Sequence, residues 1–557
     1  MTSDATGSGA PLCAVDHLKV TALTEQGRKV VVDDVSFSFG RGAYFALVGE
    51  SGSGKSVTCH ALMRLLPFAA EVEGSIRVDG TDVWSLSPGA LRAYRRHSVG
   101  MIFQDPLAAL NPVRTIGSQM IETLRLHHPE AGGDDLRERA IDALSRVHVP
   151  QPSARLSAYP HQLSGGLNQR VTIALALMGD PSLLIADEPT TALDMSVQAE
   201  ILDLLDELRA TSGISVLMVT HDLGIVADRA TSIAVMQSGR IVEQGPTDRI
   251  LAAPAHDYTV ALFEAASLGK LREPAARPAR APKLCLAFEG VDKVFRPSGR
   301  HGEPVVAADR ISFSVAEGEI VALVGESGSG KTTAAKMAMG LVKPDAGRIT
   351  VGSVTDKARH AVGPQMVFQH PKDSLDPLMK VGAQLHEVLM VHGWKDRAAR
   401  ETRIREIIAD VGLDAGVLER RPTFLSGGEA QRVVIARAIM LGPPLLIADE
   451  PLSAVDVCLQ KQILDCFRGL REKRGIAILL ITHDLRIVLD IADRVVVMRS
   501  GRIVEDVPLA LFSDGARDPY TQKLIDAIPG RDFEAAPDPD RRPPVDWSPS
   551  PSRIIYG

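Results

Sequence analysis

The chain carries four sequence motifs that occur twice in the same order, and this duplication constrains its fold more than any other feature. The first copies are LVGESGSGK at 47–55, LSGG at 163–166, LLIADEP at 183–189 and THDL at 220–223, and the second copies begin at 323, 425, 445 and 482. The spacing repeats as well, because 23 positions separate Ser164 from Asp187 and also Ser426 from Asp449. Repeats of this size and order indicate duplication of a whole domain rather than of a short solenoid unit.

The length of 557 residues is too great for one hydrophobic core, since a domain typically spans roughly 100–200 residues. The duplication therefore predicts a first domain at 1–268 and a second domain at 285–530. Residues 269–284 are rich in Pro and Ala and have no helical or strand periodicity, so we interpret them as a linker. Residues 531–557 are rich in Pro, Asp and Ser, a composition that predicts a disordered tail.

Within each half, short apolar runs alternate with amphipathic stretches. The runs AYFALVG, SLLIAD, ISVLMVT and IAILLIT have the length and composition of buried strands, and each precedes a turn and a helical pattern. Strands that alternate with helices predict an α/β fold with a mostly parallel sheet.

Gly49 to Ser56 match the pattern G-x-x-x-x-G-K-[ST], between an apolar strand and a helix that we expect to begin near Val57. Glycines let backbone N–H groups turn toward phosphate oxygens, and the helix N-terminus favours the negative charge. Lys55 is expected to bridge the β- and γ-phosphates of a nucleotide, and the Ser56 hydroxyl to ligate Mg²⁺. The alternative is a glycine-rich turn without function, which the second match in register disfavours. The predicted nucleotide-binding residues of the two loops are Gly49, Glu50, Ser51, Gly52, Ser53, Gly54, Lys55, Ser56, Gly325, Glu326, Ser327, Gly328, Ser329, Gly330, Lys331 and Thr332.

Each half also has an apolar strand that ends in two carboxylates, Asp187-Glu188 and Asp449-Glu450. Buried charge without a partner is costly, so these carboxylates are expected to face a cation. We assign the aspartates to Mg²⁺ and the glutamates to polarisation of an attacking water. The alternative role for the glutamates is to cap a helix.

His221 and His483 follow a second apolar run and lie 34 positions after Asp187 and Asp449 respectively. A histidine after a strand is commonly only a polar strand end. The matched spacing favours function, namely contact with the γ-phosphate and orientation of the water.

Taken together, these motifs resemble the ATP-binding-cassette (ABC) family over almost the whole chain, with LSGGLNQR and LSGGEAQR resembling its signature. The resemblance implies two tandem P-loop ATPase domains, each a mixed, mostly parallel sheet core with a helical subdomain. It also implies that each signature contacts the γ-phosphate bound by the opposite domain, with Lys55 facing Ser426 and Lys331 facing Ser164. The implied signature residues are Ser164, Gly165, Gly166, Ser426, Gly427 and Gly428.

Further residues take their expected roles from the same resemblance. Gln104 in MIFQDP and Gln369 in MVFQHP resemble the loop glutamine that senses both Mg²⁺ and the membrane subunit. The implied metal ligands are therefore Ser56, Gln104, Asp187, Thr332, Gln369 and Asp449. Asp194 and Asp456 resemble the aspartate of a loop that crosses between the two sites.

The segments FQDPLAALNPVRTIG, HDYTVALFEA and DPYTQKLIDAIP resemble the dipeptide, oligopeptide and nickel importer ATPases in particular. That group implies two integral-membrane permease subunits and an extracytoplasmic solute-binding protein as partners. Members often hold an iron–sulfur cluster with cysteines after the Tyr-Thr segment; none follows Tyr258 before the second domain, so we predict no cluster. The cargo stays open among a peptide, glutathione, a nickel chelate and an opine-like molecule.

Two departures from the family pattern concern the nucleotide. Family members usually stack an aromatic residue on adenine upstream of the P-loop. Phe295 is the candidate in the second half, and core packing is the alternative role for it. The first half has no evident aromatic residue at 23–32. The first signature has Leu167 where Gln or Glu is frequent, from which we expect little effect.

The bulk composition narrows the function further. A formal net charge of -7 argues against nucleic acid as a partner. No run approaches the ~18–20 apolar residues of a membrane span, and the N-terminus lacks the features of a signal peptide. Five scattered cysteines with no C-x-x-C pair argue against a zinc site and fit a reducing compartment. We therefore expect a peripheral protein on the cytoplasmic face of the cell membrane.

The sequence thus predicts an ATPase that powers import through a separate permease. A soluble tandem ATPase that acts on ribosomes is the alternative, but such proteins usually have a long charged helical arm between their halves. DNA-repair ATPases carry zinc-binding cysteines that this chain lacks. A binding module without turnover is disfavoured by the complete Lys, Asp, Glu and His sets.

Overall fold

The computed structural model describes residues 10–24, 27–67, 69–191, 193–266, 283–296, 304–352, 354–355, 361–369, 371–452, 455, 457–513 and 518–530. These residues form two compact units, one mainly of 1–193 and 197–266 and the other mainly of 267–528. Most of the predicted linker, the predicted tail and Asp456 lie outside the described residues.

The first unit contains ten strands and eleven α-helices within its described residues. The strands are β1 Cys13–Thr24, β2 Gly27–Phe39, β3 Tyr44–Val48, β4 Glu71–Val78, β5 Thr81–Asp82, β6 Val99–Ile102, β7 Leu183–Asp187, β8 Ser215–Thr220, β9 Ser232–Gln237 and β10 Arg240–Pro246. The helices are α1 Lys55–Leu62, α2 Pro88–His97, α3 Pro106–Ala109, α4 Ile116–His127, α5 Gly133–Arg146, α6 Pro152–Arg155, α7 Gly165–Leu177, α8 Met195–Ser212, α9 Leu223–Arg229, α10 Thr247–Ala252 and α11 Asp257–Ala266.

The central sheet of the first unit has six strands in the order β10-β9-β3-β8-β7-β6. The five strands from β9 to β6 are parallel, and β10 pairs antiparallel with β9. Every residue of β3, β7 and β8 is buried, as expected for apolar strands covered on both faces. A second sheet, β2-β1-β4-β5, is antiparallel.

The second unit contains strands β11 to β21 and α-helices α12 to α19. The strands are β11 Leu284–Phe295, β12 Val305–Ala316, β13 Ile320–Val324, β14 Ala346–Val351, β15 Val354–Thr355, β16 Ala361–Val362, β17 Gln365–Val367, β18 Leu445–Asp449, β19 Ala477–Ile481, β20 Arg494–Arg499 and β21 Arg502–Pro508. The helices are α12 Lys331–Ala338, α13 Val381–Val391, α14 Arg397–Asp410, α15 Gly427–Ile439, α16 Val457–Arg474, α17 Leu485–Ile491, α18 Leu509–Ser513 and α19 Pro519–Asp526.

The second unit repeats the sheet of the first. Its six strands run in the order β17-β18-β19-β13-β20-β21, and only the β20–β21 pair is antiparallel. Strands β11, β12 and β14 form the antiparallel sheet, and β15 and β16 form a short hairpin. The predicted α/β class with a mixed, mostly parallel sheet is confirmed in both units.

A helical subdomain lies between β6 and β7 in the first unit and between β17 and β18 in the second. It consists of α3–α7 in the first unit and of α13–α15 in the second. Buried apolar residues such as Met120 of α4, Leu136 of α5 and Val171 of α7 belong to one core cluster. The Thr115 side chain accepts a hydrogen bond from the Ser118 N–H and caps α4, which explains where that helix begins.

One boundary prediction was wrong by two residues, because the helix after the first P-loop begins at Lys55 rather than near Val57. Gly54 has φ 105 and serves as the N-cap, which only glycine does without strain. The chain therefore enters the helix directly after the loop, and Lys55 and Ser56 belong to the first helical turn. Gly330 has φ 108 and does the same for α12.

Candidate functional site

The predicted site residues follow adjacent parallel strands and therefore meet at one edge of each sheet. In the first unit, the P-loop follows β3, His221 follows β8, Asp187 ends β7 with Glu188 directly after it, and Gln104 follows β6. These four strands are neighbours in the order β3-β8-β7-β6. The carboxyl edge of a parallel sheet is the usual position of a ligand site in such folds.

The P-loop lysine lies inside its own loop in each unit. Lys55 is 5% exposed, and its Nζ donates to the carbonyl oxygens of Gly49 and Glu50, each at 2.8 Å. Lys331 makes the same two bonds, to Gly325 at 2.7 Å and to Glu326 at 2.8 Å. An ammonium group buried at a helix N-terminus, among glycines that leave the backbone accessible, fits a triphosphate.

The hydroxyl that begins the P-loop helix contacts the aspartate at the end of the neighbouring strand. Ser56 Oγ donates to Asp187 Oδ1 at 3.0 Å, and Thr332 Oγ1 donates to Asp449 Oδ1 at 3.4 Å. Burial raises the pKa of both aspartates, although these hydrogen bonds oppose the rise. A buried carboxylate next to a hydroxyl oxygen is a donor set that suits Mg²⁺, whose charge would stabilise the ionised form.

Glu188 is the centre of a hydrogen-bonded cluster in the first unit. Its Oε2 accepts from Gln104 Nε2 at 3.0 Å and from Thr191 Oγ1 at 3.0 Å, and its Oε1 lies 3.3 Å from His221 Nδ1. Burial disfavours the charge, but the contact with His221 prevails and lowers the Glu188 pKa to about 2. Conversely, Glu188 raises the pKa of His221 against the effect of burial. The carboxylate is therefore ionised at neutral pH, as a group that polarises water must be.

The second unit contains the same cluster around Glu450. Gln369 Nε2 donates to Glu450 Oε2 at 2.9 Å, and His483 Nδ1 lies 3.2 Å from Glu450 Oε1. The pKa of His483 is raised by Glu450, again against burial. Both glutamates have φ 47, a left-handed conformation that a residue with a Cβ adopts only at some cost. This backbone turn directs the chain away from the strand directly after each Asp–Glu pair.

The signature serines cap helices in both units. Ser164 accepts a hydrogen bond from the Leu167 N–H and caps α7, and Ser426 accepts one from the Glu429 N–H and caps α15. Glu429 also accepts from the Ser426 N–H and from Arg420, whereas Leu167 has no such group to offer. Among the hydrogen bonds of the described residues, the signature serines do not join the Gln–Glu–His cluster of their own unit.

Phe295 and Ala22 occupy equivalent positions in the two antiparallel sheets. Phe295 pairs with Val305, and Ala22 pairs with Lys29. Lys29 lies two residues before Val31, whose carbonyl oxygen is next to Gly54 of the first P-loop. Val305 likewise lies two residues before Ala307, whose carbonyl oxygen is next to Gly330 of the second. Phe295 is 43% exposed at the end of β11, and Lys293 Nζ lies 5.4 Å from the centre of its ring. The first unit therefore has a methyl group where the second has an aromatic ring.

Two tyrosines to which the sequence motifs give no role contact the P-loops. The Glu50 N–H donates to Tyr258 Oη at 3.0 Å, and the Glu326 N–H donates to Tyr520 Oη at 2.9 Å. Both tyrosines belong to the segments HDYTVALFEA and DPYTQKLIDAIP. The repetition of a Tyr-Thr pair after each core was the available signal.

Three segments of the chain match the sequences of known protein families. Residues 32–191 and 308–453, which together make up more than half of the chain, match the ABC transporter family. The chain belongs to that family and is an ATP-binding, ATP-hydrolysing subunit. Residues 242–290 match the C-terminal region of oligopeptide/dipeptide transporters. Within the family, the chain belongs to the branch of oligopeptide importer ATPases and powers import together with a membrane permease.

Relatives of similar length align over nearly the whole chain. A peptidoglycan transport ATP-binding protein, YejF of Agrobacterium fabrum, is 42% identical over 533 residues, which cover 93% of this chain and 96% of the relative. A glutathione import ATP-binding protein, GsiA of Pectobacterium atrosepticum, is 39% identical over 581 residues, which cover 95% and 92%. The predicted family, ATPase activity and import function are confirmed.

Among solved structures, an archaeal ribosome recycling factor in complex with a ribosomal stalk protein is similar, with a TM-score of 0.56 and 21% identity. The similarity covers 86% of this chain and 90% of that one, and at this identity it shows a shared fold alone. Within the described residues, no helix combines the length and apolarity that a membrane crossing requires.

Proposed function

We propose that the chain binds two MgATP molecules and hydrolyses both, with each half supplying one complete set of reacting groups. Lys55 and Lys331 bind the phosphates, and Glu188 and Glu450 polarise the attacking water. Ser56 with Asp187, and the corresponding pair in the second half, hold Mg²⁺. The cation supplies charge neutralisation at the phosphates.

The two glutamines and two histidines complete this assignment. Gln104 and Gln369 contact Mg²⁺ and report its presence to the permease. His221 and His483 orient the water and bind the γ-phosphate. The signatures that begin at Ser164 and Ser426 act on the γ-phosphate held by the other half, so that closure requires both nucleotides. Hydrolysis then returns the pair to the open state, which makes ATP a switch between two populations.

The proposed cargo is a peptide or a related small solute, because the relatives that span the chain are named for peptidoglycan and glutathione transport. The proposed partners are two integral-membrane permease subunits and, through them, an extracytoplasmic solute-binding protein. The chain then works at the cytoplasmic face of the membrane, bound to the permease.

One observation carries this proposal, namely that a Gln–Glu–His cluster lies beside a P-loop in both units. The hydrogen-bond distances agree closely, since the Gln–Glu distances are 3.0 and 2.9 Å and the His–Glu distances are 3.3 and 3.2 Å. A binding module without turnover has no need for a strained glutamate held ionised by a histidine.

The test is to purify the tagged chain from gently solubilised membranes and, in parallel, from the ribosome pellet, and to identify co-purifying proteins by mass spectrometry. The expected result is two multi-span permease proteins in the membrane fraction. Their genetic neighbours would identify the solute-binding protein, whose thermal stabilisation by peptides or glutathione would define the cargo. Ribosomal proteins without a permease would overturn the proposal.

A further inference from the structure

The helix that follows each core brings a tyrosine hydroxyl to the P-loop. Helix α11 carries Tyr258 to the Glu50 N–H at 3.0 Å, across 208 positions of sequence. Helix α19 carries Tyr520 to the Glu326 N–H at 2.9 Å, across 194 positions. The same long-range bond therefore occurs in two units that share the duplicated fold but differ in surrounding sequence. Two copies of one contact argue against an incidental approach of the side chain.

The glutamate that donates to each tyrosine also accepts a hydrogen bond from the P-loop lysine. The carbonyl oxygen of Glu50 accepts from Lys55 Nζ, and the carbonyl oxygen of Glu326 accepts from Lys331 Nζ, both at 2.8 Å. The backbone of each glutamate therefore makes two hydrogen bonds: its N–H donates to the tyrosine hydroxyl, and its C=O accepts from the lysine. When the lysine leaves the glutamate carbonyl to bind a phosphate, the hydrogen bond to the tyrosine remains. The P-loop backbone therefore keeps the conformation that binds the nucleotide.

The tyrosines are themselves held firmly. Both are 5% exposed, and the Asp518 side chain accepts from the Tyr520 N–H at 2.8 Å, which caps α19. The Arg499 guanidinium lies 4.8 Å from the centre of the Tyr520 ring. In the first unit, Glu243 of β10 accepts from the N–H groups of Ala255 and His256, which fixes the approach to α11. Such support orients the hydroxyl rather than merely filling space.

From this geometry we propose that Tyr258 and Tyr520 are positioning residues for ATP binding, acting through the backbone of Glu50 and Glu326. The proposal rests on the assignment of the two P-loops as ATP sites. It makes the segment after each core part of the nucleotide site. A substitution in that segment should therefore change the affinity for ATP rather than the rate of the chemical step, because the hydroxyl contacts no reacting atom.

The experiment uses the full chain with Tyr258→Phe and Tyr520→Phe, singly and together. Phenylalanine keeps the buried ring and removes the acceptor oxygen alone. Tyr44→Phe is the matched control, since Tyr44 is fully buried and, within the described residues, its hydroxyl has no hydrogen-bond partner. The measurements are KM and kcat for ATP, the Kd of a fluorescent N-methylanthraniloyl ATP with Mg²⁺, and the melting temperature.

The double variant is expected to raise KM and Kd about 3- to 10-fold, with kcat within about twofold of wild type, because ATP must then order a loop that one hydrogen bond at each site no longer fixes in advance. Each single variant should weaken one of two binding phases, and the control should change neither. Unchanged KM and Kd in the double variant, with or without a lower melting temperature, would overturn the proposal and leave a structural role. If wild type and Lys55→Ala bound the ATP analogue equally, the P-loop assignment itself would fail.

Discussion

Glu188→Gln removes one negative charge from the first Gln–Glu–His cluster and keeps the size of the side chain. The glutamate contacts His221 at 3.3 Å and is 16% exposed, so solvent screens the pair only weakly. In the variant, an amide faces a histidine whose pKa the carboxylate had raised. The variant therefore resembles a permanently protonated Glu188.

The expected loss of stability follows from the pKa of Glu188, which the folded protein lowers from 4.5 to about 2. One pKa unit corresponds to about 1.4 kcal/mol, so the ionised group contributes about 3 kcal/mol to the unfolding free energy at pH 7. Because the folded pKa is depressed, this contribution is complete above about pH 4.5 and declines as the pH falls toward 2. At pH 3, about 1 kcal/mol should remain.

Urea unfolding of the full chain at pH 7 and at pH 3 measures this difference. The control is Glu207→Gln, since Glu207 pairs with His148 at 3.5 Å while both side chains are more than half exposed, and such a pair contributes little. Glu188→Gln should lower the midpoint of the first unit at pH 7 and less so at pH 3. A variant as stable as wild type at pH 7, or a larger difference at pH 3, would refute the reasoning.

Three further predictions concern the nucleotide sites. Glu188→Gln and Glu450→Gln should each reduce steady-state ATPase by half or more, because general-base loss costs about 10²- to 10⁴-fold at the altered site; full activity in one and none in the other would show unequal sites. Phe295→Ala should weaken binding of fluorescent ATP about tenfold at the second site, and Ala22→Phe should tighten its binding at the first, as expected for stacking on a base. Equal effects on the binding of a base-free triphosphate would contradict this. Gly330→Ala should abolish binding at the second site, because its Cβ would overlap a backbone carbonyl at φ 108, and retained affinity would be inconsistent with the loop geometry.

The sheet and its ligand edge were predictable because their signals are local. Three apolar runs of strand length in the first half, each followed by a polar motif, place Asp187, His221 and the P-loop at the ends of parallel strands. Parallel strands bring their carboxyl ends to one edge whatever the order of the strands, so the site did not depend on knowing the topology.

The contacts within the site were not predictable in the same way. The bond from Gln104 to Glu188 depends on the neighbouring positions of β6 and β7 and on the left-handed backbone of Glu188. The bond from Tyr258 to the P-loop spans 208 residues and depends on where α11 packs. The start of α1 at Lys55, rather than near Val57, depends on the positive φ of Gly54, which makes this glycine the cap of the helix.

The two halves share most of the groups proposed to react and differ at several positions around them. The lysines, Asp–Glu pairs, glutamines and histidines are the same residue types, and their hydrogen bonds repeat within about half an ångström. Substitutions occur at Ser56, which corresponds to Thr332 in the second half, and at Ala22, which corresponds in register to Phe295. A third is Leu167 of the first signature, which corresponds to Glu429. Stacking and capping act on binding and on helix stability, whereas the carboxylates act on turnover. We therefore expect the two halves to differ in how firmly each holds a nucleotide, because the groups proposed to carry out hydrolysis are alike.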